Sequence, residues 1–324
     1  MAKLDILVSV VVCVRNDAEL IEGFAREVVE LLSANYAHYE VIFVDDASTD
    51  GTPERIDAVL KKYDGIRYLR LSRSFGREVA LYAGMQSAIG DYVTIMSIHT
   101  DPPRLIPQMV ERAVRHGGLV FGVASQRLNE LALFTLVKAI WIWVAVRVLR
   151  IPLVKDATQF MVFSRQALNA ILEIKDRYRH IRVFTSYIGY AQEGFEYQQE
   201  NREGKAVPRQ LSAGIAAGIR IIFASTSVPM RAWAWLGVVA ALVNGGLAVA
   251  AAVMAVQGGA GWLPQTAGVT TALVLLVFSG VLALLTEYVT TLTEESRNRP
   301  LYYIREEKSS SVLLADQGRR NVTR

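Results

Sequence analysis

Two adjacent carboxylates mark the stretch "VDDASTDGT", where a strand-like apolar run gives way to a turn of small polar residues and then to a helical pattern. Asp45 and Asp46 can accept hydrogen bonds from a base or a ribose, while the turn and the helix N-terminus offer backbone N–H groups to an anion. Helix capping by Ser48, Asp50 or Thr52 accounts for part of this pattern, but it does not account for the pair of carboxylates. The stretch therefore predicts a nucleotide site.

A second polar stretch, "MSIHTDPP", follows another strand-like run. It contains Ser97, His99 and a single carboxylate, Asp101. Hard cations such as Mg²⁺ prefer oxygen ligands, whereas imidazole is an acceptable ligand for transition metals. Asp101 and His99 are thus candidate ligands for a softer metal such as Mn²⁺, although a lone histidine at a strand end is more often structural than catalytic.

The elements that must position these stretches alternate between strands and helices from Leu4 to about Val123. Apolar runs such as "ILVSVVVCV" are typical of parallel strands that are covered on both faces, and apolar residues at helical spacing follow each of them. This alternation predicts a doubly wound α/β sheet, in which ligands bind beyond the carboxyl ends of the strands. The polar loops "RND", "DDASTDGT" and "SIHTDPP" all fall at that edge.

Composition limits the partners and the compartment. The 324 residues carry a net charge of +4, and 52% of them are hydrophobic, with a mean hydropathy of +0.26 and a pI of about 9.1. This weak basic excess fits phosphate ligands or an anionic membrane surface, and it does not favour a nucleic-acid partner. The single cysteine, Cys13, cannot form an internal disulfide, so we expect a reducing, cytoplasmic location for the part outside a membrane.

Two long apolar runs lie in the last third of the chain. Residues 232–256 contain no charge over 25 positions, and residues 267–289 contain only Glu287 over 23 positions. Each run exceeds the roughly 20 residues needed to span the hydrocarbon core of a bilayer. Arginines precede the first run and follow the second, so the positive-inside rule predicts that both ends are cytoplasmic. We therefore expect a transmembrane hairpin.

The region between the sheet and the hairpin is less regular. "LALFTLVKAIWIWVAVRVL" is apolar apart from Lys138 and Arg147. It fits either a buried helix or a membrane-facing helix whose basic side chains reach the headgroups, and periodicity does not separate the two. At the other end of the chain, the segment from Lys308 onward is polar, and we expect it to be disordered.

Four stretches, in the order "VSVVVCVRND", "VIFVDDASTDGT", "LSRSFGREVALYAGMQSAIGDYV" and "DPPRLIPQMV", resemble family 2 glycosyltransferases with the GT-A fold. The hairpin and the segment "LLTEYVTTLTEESRNRPLYYIRE" resemble the anchor of polyprenyl-phosphate glycosyltransferases, the group of bactoprenol glucosyltransferases and dolichol-phosphate mannose synthases. The resemblance covers nearly the whole chain. It implies transfer of one sugar, with inversion, from a UDP- or GDP-sugar to polyprenyl phosphate on the cytoplasmic leaflet of the inner membrane.

The resemblance also assigns roles to individual residues. Asp156 and Asp101 match acids of the reaction centre, and Arg202 and Lys205 match a basic loop near the lipid phosphate. From the residues alone, Asp156 is equally a structural ion-pair partner, and the two basic residues are equally a solvated loop beside a membrane. Donor binding is assigned to Val14, Asn16, Asp45, Asp46, Arg73, Gly76, Arg77, Glu78 and Ser97.

One departure from the family pattern concerns the metal. The resemblance implies Mg²⁺ or Mn²⁺ held by an Asp-x-Asp pair before "DPP", but Ser97 and His99 occupy the nearest equivalent positions and only Asp101 remains. Three outcomes are open. Asp101 and His99 hold a softer metal, or Arg73, Arg77 or His99 neutralise the donor diphosphate without a metal, or the protein binds its ligand and transfers no sugar.

These interpretations predict a GT-A mixed-sheet α/β domain over residues 1–210, an interfacial segment over 211–230, a transmembrane hairpin over 231–292 and a cytoplasmic tail over 293–324. The favoured hypothesis is a membrane glycosyltransferase. The alternative is a non-catalytic relative that binds nucleotide-sugar or lipid phosphate as a regulator or partner subunit. The first span also predicts a homo-oligomer, because its small residues permit close helix packing, namely Gly245, Gly246 and Ala250.

Overall fold

The computed structural model describes residues 3–125, 157–174, 181, 185, 189–202, 228–256, 263–296 and 300–310. The chain divides into two compact units, one formed by Met1–Val146, Pro152–Gln210 and Pro300–Arg324, and the other by Arg147–Ile151 and Leu211–Arg299. The described elements of the first unit are β1 (Leu4–Val14), α1 (Ala18–Asn35), β2 (Tyr36–Asp45), α2 (Thr52–Lys62), β3 (Ile66–Leu71), α3 (Arg77–Ser87), β4 (Tyr92–Ser97), a 3-10 helix (Pro103–Leu105), α4 (Ile106–His116), β5 (Leu119–Ala124), β6 (Ala157–Ser164), α5 (Arg165–Glu173), β7 (Gln192–Tyr197) and β8 (Ile304–Ser309). Those of the second unit are α6 (Val228–Val256) and α7 (Leu263–Ser296).

The described strands form one mixed sheet in the order β7-β5-β6-β4-β1-β2-β3-β8. β1 pairs in parallel with β2 and with β4, and β2 pairs in parallel with β3. β6 is antiparallel to β4 and to β5, and β8 is antiparallel to β3. The predicted α/β domain with a mixed sheet is therefore confirmed, and its parallel centre is the part that the alternating sequence pattern predicts.

The first strand shows why the sheet is covered on both faces. Val8, Val10 and Val12 belong to an apolar cluster with α1, α2 and α4. Val11 and Cys13 belong to a second cluster with α3 and α5. Successive side chains of a strand point to opposite faces, so a strand with apolar residues at every position needs a helical layer on each side.

Helix α3 approaches the sheet closely because of one glycine. A Cβ atom added at Gly84 would lie 2.3 Å from Val11 Cγ1 and 2.8 Å from Val44 Cγ2. No side chain fits there, so the helix backbone packs directly on β1 and β2. This contact fixes the axis of the helix whose first residue, Arg77, reaches the carboxyl edge of the sheet.

The edge strand β8 corrects the prediction for the tail. Residues 304–309 pair with β3, so Lys308 and Ser309, which begin the segment expected to be disordered, lie instead in a strand. The sequence "IREEKS" lacks the apolar alternation of a strand, but an open sheet edge offers unpaired backbone groups to it. Opposite charges add to the pairing, since Arg67 Nη2 donates to Glu307 Oε1 at 2.9 Å and Lys308 Nζ donates to Asp57 Oδ1 at 2.8 Å.

The described part of the second unit consists of α6 and α7, which contact each other. The two helices contain 29 and 34 residues, and large apolar side chains such as Trp235, Leu242 and Leu276 are exposed on them. Among the residues that the structure describes, no helix is identified as long and apolar enough for a membrane span. A Cβ atom added at Gly245 or Gly246 meets no atom within 4 Å, so neither glycine serves the contact between the helices, and the homo-oligomer stays a prediction.

Candidate active site

A cleft lies at the carboxyl edge of the parallel strands, as the sequence predicts for a ligand site. Cys13, near the end of β1, is in register with Val44 of β2 and Ser97 of β4, so the loops that follow these strands meet at one place. The cleft has a volume of about 150 Å³, and it is lined by Cys13, Arg15, Asp17, Asp46, Gly76, Arg77 and His99.

The loops after β1 and β2 are joined by hydrogen bonds. Asn16 N donates to Ser48 Oγ at 3.0 Å, and Asn16 Oδ1 accepts from Thr49 N at 2.9 Å. In the described part of the chain, the non-glycine residues with positive φ are Asn16 and Ala47, one in each loop. Such backbone conformations persist only where the surroundings hold them. Asn16 is predicted to bind the sugar donor, but its side-chain amide oxygen already accepts a hydrogen bond that joins the two loops.

Asp45 is fully buried, and its carboxylate points into the protein. Its Oδ1 accepts from Ser48 N at 2.7 Å and from Ser48 Oγ at 2.5 Å, and its Oδ2 accepts from Tyr68 Oη at 2.8 Å. Burial, followed by the hydrogen bond to Asp45, raises the pKa of Tyr68, so the phenol remains a neutral donor. Although the sequence predicts a nucleotide ligand here, the carboxylate closes the turn between β2 and α2 and is not part of the cleft lining.

Asp46 lines the cleft and also holds its wall in place. Its Oδ1 accepts from Phe75 N at 2.7 Å, and both of its oxygens lie within 3.2 Å of Gly76 N. Its Oδ2 accepts from Ser74 Oγ at 2.7 Å. Gly76 has φ 93°, which a residue with a side chain rarely adopts. The backbone N–H of Asp46 donates to the carbonyl oxygen of Val14 at 3.0 Å, so Asp46 connects β1 to the loop before α3.

The "SIHTDPP" loop separates its histidine from its carboxylate. Asp101 is buried, with Oδ2 accepting from Ser97 N at 2.8 Å and Oδ1 accepting from Tyr197 Oη at 2.7 Å. Burial raises the pKa of Asp101, and the hydrogen bond from Tyr197 acts in the opposite direction. His99 instead lines the cleft, where its Nε2 lies 3.3 Å from Asp17 Oδ1.

Two arginines provide the positive charge of the cleft. Arg15 follows β1, Arg77 begins α3, and both side chains are exposed. Within the described part of the chain, neither forms an ion pair with a carboxylate. Arg73, which the sequence also predicts at the donor, stacks on Phe75 at 4.8 Å and is not part of the lining. Arginine is well suited to bind phosphate because its guanidinium offers several donors in one plane.

Other predicted site residues have partners elsewhere in the protein. Glu78 accepts hydrogen bonds from Gln159 Nε2 at 2.5 Å and from Ile181 N at 3.3 Å. Arg202 Nη2 lies 2.9 Å from Glu27 Oε2, and the guanidinium lies over the ring of Phe24 at 5.2 Å. Its charge is therefore balanced within the domain, and a role at the acceptor phosphate stays a prediction. Asp156 and Lys205 lie outside the described residues.

The described residues of the cleft do not fit a hard divalent cation. Every carboxylate oxygen of Asp45, Asp46 and Asp101 already accepts at least one hydrogen bond from a protein donor. Asp17 has one oxygen at Arg15 N and the other beside His99. Among the described residues, no group of three or more His, Cys, Asp or Glu side chains is arranged to hold a metal ion. Mg²⁺ demands near-ideal octahedral geometry and is bound through one or two carboxylates, and the described carboxylates of the cleft are oriented toward protein donors instead.

The family assignment comes from the sequence match that covers the central part of the sheet. Residues 9–172, just over half of the chain, match the model of Glycosyl transferase family 2. The chain belongs to this family, and it is a glycosyltransferase. The predicted family and enzyme class are thus confirmed, and the matched segment contains each described residue that lines the cleft.

Relatives match well beyond that segment. An uncharacterized glycosyltransferase of Synechocystis, sll0501, is 25% identical over 308 residues, which cover 93% of this chain and 95% of the relative. The bactoprenol glucosyl transferase of Shigella phage SfV is 26% identical over 317 residues, covering 93% of this chain and 99% of the relative. A mannosyltransferase from Pyrobaculum calidifontis, solved in complex with GDP-Man and Mn²⁺, is 19% identical, with 92% of this chain and 89% of that chain covered and a TM-score of 0.47.

The residues that line the cleft include some that the sequence predicts and some that it does not. Asp46, Gly76, Arg77 and His99 are predicted site residues that line the cleft. Arg15 and Asp17 are not among the predicted site residues, although the loop "RND" at the predicted ligand edge contains both. The feature of the sequence that could have identified them is their position in the loop directly after β1. Cys13 could have been found from the alternation of β1, since it follows Val11 on the face toward α3.

Proposed function

We propose that this glycosyltransferase transfers one sugar from a nucleotide-sugar to a polyprenyl phosphate at the cytoplasmic face of a membrane, with inversion at the sugar. The observation that carries the proposal is the cleft at the sheet edge, in which Arg15 and Arg77 are available to an anionic ligand. The similarity to a bactoprenol glucosyl transferase supports the lipid acceptor, because it extends over 93% of this chain and thus beyond residues 9–172.

The chemistry of such a transfer suits this set of residues. The acceptor phosphate is already ionised at neutral pH, so its oxygen can attack the anomeric carbon without a strong general base. The bond from that carbon to the diphosphate breaks, and the nucleoside diphosphate leaves with the electron pair. Aligning two anionic partners is the difficult step, and Arg15 and Arg77 are positioned to offset the negative charge.

Attachment to the membrane is proposed through α6 and α7. The described side chains by themselves do not identify a span, so this part rests on the uncharged sequence of residues 232–256 and on the exposure of apolar side chains. Leu242 is 71% exposed and Leu276 is 67% exposed. Side chains of this size on a water-facing surface are costly, and burying each in lipid would contribute roughly 1.5–3 kcal/mol. The arginines that flank the two runs support cytoplasmic ends.

The transfer reaction is tested with the purified full-length protein, bactoprenol phosphate and a panel of UDP- and GDP-sugars. We expect one donor to yield free nucleoside diphosphate together with a lipid-linked monosaccharide, detected by mass spectrometry. A reaction without lipid is the control for hydrolysis. Release of nucleoside diphosphate that does not depend on the lipid, or no release from any donor, would contradict the proposed acceptor.

The membrane arrangement is tested by cysteine labelling in bacteria that express the protein. In a Cys13→Ala background, we expect Gly259→Cys, between the two apolar runs, to react with a membrane-impermeant maleimide added to intact cells. Ser311→Cys, beyond β8, should react only after lysis. Equal labelling of both positions in intact cells, or of neither, would overturn the proposed hairpin and leave the sugar transfer untouched.

A further inference from the structure

The carboxylates that line the cleft accept hydrogen bonds from the backbone N–H of Arg15 and from the two backbone N–H groups that precede Arg77. Asp17 Oδ2 accepts from Arg15 N at 2.7 Å. Asp46 accepts from Phe75 N and Gly76 N, the two amides before Arg77. Each acid therefore holds the chain next to one arginine, and it uses oxygens that a cation would need as ligands.

The arginines themselves come from different elements and face the same space. Arg15 lies in the loop after β1, Arg77 begins α3, and the close packing of Gly84 on Val11 fixes where that helix starts. Neither guanidinium has a carboxylate partner within the described residues. A cleft of about 150 Å³ is small beside the roughly 300–1,000 Å³ of typical ligand pockets, so it fits one part of a nucleotide-sugar.

We infer that Arg15 and Arg77 bind the diphosphate of the donor and that no divalent cation is needed for donor binding. This inference rests on the proposed function, since it names how that same site holds its donor. Two guanidinium groups supply two positive charges, as a divalent cation would, and they do so without free carboxylates.

The test measures binding of UDP and GDP to the full-length protein by calorimetry, once in EDTA and once with Mn²⁺. We expect one of the two nucleotides to bind in EDTA, with an affinity that Mn²⁺ changes by less than about twofold. Arg15→Gln and Arg77→Gln should each weaken binding by about 10- to 100-fold, the usual effect of losing a hydrogen bond to a charged group. Arg55→Gln, at an exposed arginine of α2 outside the cleft lining, is the matched control and should leave the affinity unchanged.

Two further measurements show where the effect arises. Uridine or guanosine, which lack the diphosphate, should bind the wild type and the two cleft variants equally. Mn²⁺ alone, followed by electron paramagnetic resonance, should remain free in the presence of the protein.

The outcomes separate this inference from the proposed function. Nucleotide binding that requires Mn²⁺, or that survives Arg15→Gln and Arg77→Gln unchanged, overturns the inference and leaves sugar transfer standing. If neither nucleotide binds in EDTA or with Mn²⁺, both the inference and the proposed donor are wrong.

Discussion

The sheet contains two polar clusters, a buried one around Glu40 and one at the carboxyl edge around Asp46. In both clusters the carboxylates accept hydrogen bonds from protein donors. The arginine is paired with carboxylates in the buried cluster, whereas, among the described residues, the arginines at the edge are not. In the buried cluster, Glu40 Oε1 accepts from Ser9 Oγ at 2.5 Å and from Ile89 N at 2.7 Å, and Glu40 Oε2 accepts from Arg67 Nη1 at 3.0 Å. At the edge, Asp46 is likewise satisfied, and its donors among the described residues are two backbone N–H groups and a serine hydroxyl.

The difference lies in the cations. Arg67 has two carboxylate partners, Glu40 and Glu307, and its side chain is 16% exposed. Arg15 and Arg77 are exposed and have no such partner within the described residues. Satisfied carboxylates are a general requirement of folding, because a buried polar group without a partner is costly. The arginines without carboxylate partners at the open edge are therefore the better indication of a binding site.

The largest expected effect on stability is in the buried cluster. Glu40→Ala leaves the largely buried Arg67 without its buried carboxylate partner, and removal of one member of a buried pair costs about 3–5 kcal/mol. Chemical denaturation of the purified protein measures it. Glu22→Ala is the control, because the pair of Glu22 with Lys62 is 55% exposed on both sides and such surface pairs contribute about 0–1 kcal/mol. Equal losses for the two variants would contradict the role assigned to Glu40.

A substitution in the edge cluster should lower the activity of the enzyme and leave its stability nearly unchanged. Arg77→Gln should lower kcat/KM for sugar transfer by about 10²- to 10³-fold, as the loss of one preorganised charge-stabilising donor does in other enzymes. Its free energy of unfolding should stay within about 0.5 kcal/mol of the wild type, since an exposed side chain without a partner contributes little to stability. A variant that loses stability and activity together would remove the distinction between the clusters.

A smaller effect concerns the dependence of stability on pH. Burial raises the pKa of Asp101 above its ordinary value of 3.8. A carboxyl with a higher pKa in the folded state binds more protons there than in the unfolded state. Its contribution is therefore most favourable below pH 3.8 and is lost as the pH rises through the folded pKa.

Asp101→Asn cannot ionise and should lack this dependence. Relative to the variant, the free energy of unfolding of the wild type should fall as the pH rises above 3.8, which denaturation across the acidic range measures. A parallel pH dependence of the two proteins would show that Asp101 is not penalised by its burial.

The smallest expected effect is chemical. Cys13 lines the cleft, but burial raises its pKa to about 12, and the nearby Arg77 offsets only part of that shift. The thiolate is the reactive form, so iodoacetamide at pH 8 should leave the folded protein unmodified and should label it after denaturation. Rapid labelling of the native protein, with protection by UDP or GDP, would show instead that the cleft activates this thiol.

Much of the fold follows from local pattern. The apolar runs of β1 to β4 and the helices between them predict the parallel centre, and the loop "RND" and the acidic turn predict the edge where ligands bind. The edge strand β8 was not predictable in this way. Its charged sequence becomes a strand because β3 has a free edge and because Arg67 and Asp57 meet its side chains, and both are properties of distant parts of the chain.

In the candidate site, too, some features are predictable from local sequence and others depend on distant parts of the chain. Asp46 is predictable because it follows directly on β2, and Arg77 is predictable because it lies in a stretch that resembles the family. The direction of each carboxylate was not predictable. Asp45 is adjacent to Asp46, but it turns inward to Tyr68, and Asp101 is covered by Tyr197 of β7, 96 positions further along the chain.

The order of residues along this chain was enough to determine the α/β sheet, its ligand-binding edge and the family, because strand periodicity and strand-end motifs are local. Only the folded arrangement decided which charges remain available. Donors from distant segments approach the carboxylates and saturate them, while Arg15 and Arg77 lie where no carboxylate of the described chain reaches them. Hydrogen bonds and ion pairs form between neighbours in space, and the sequence does not state those neighbours.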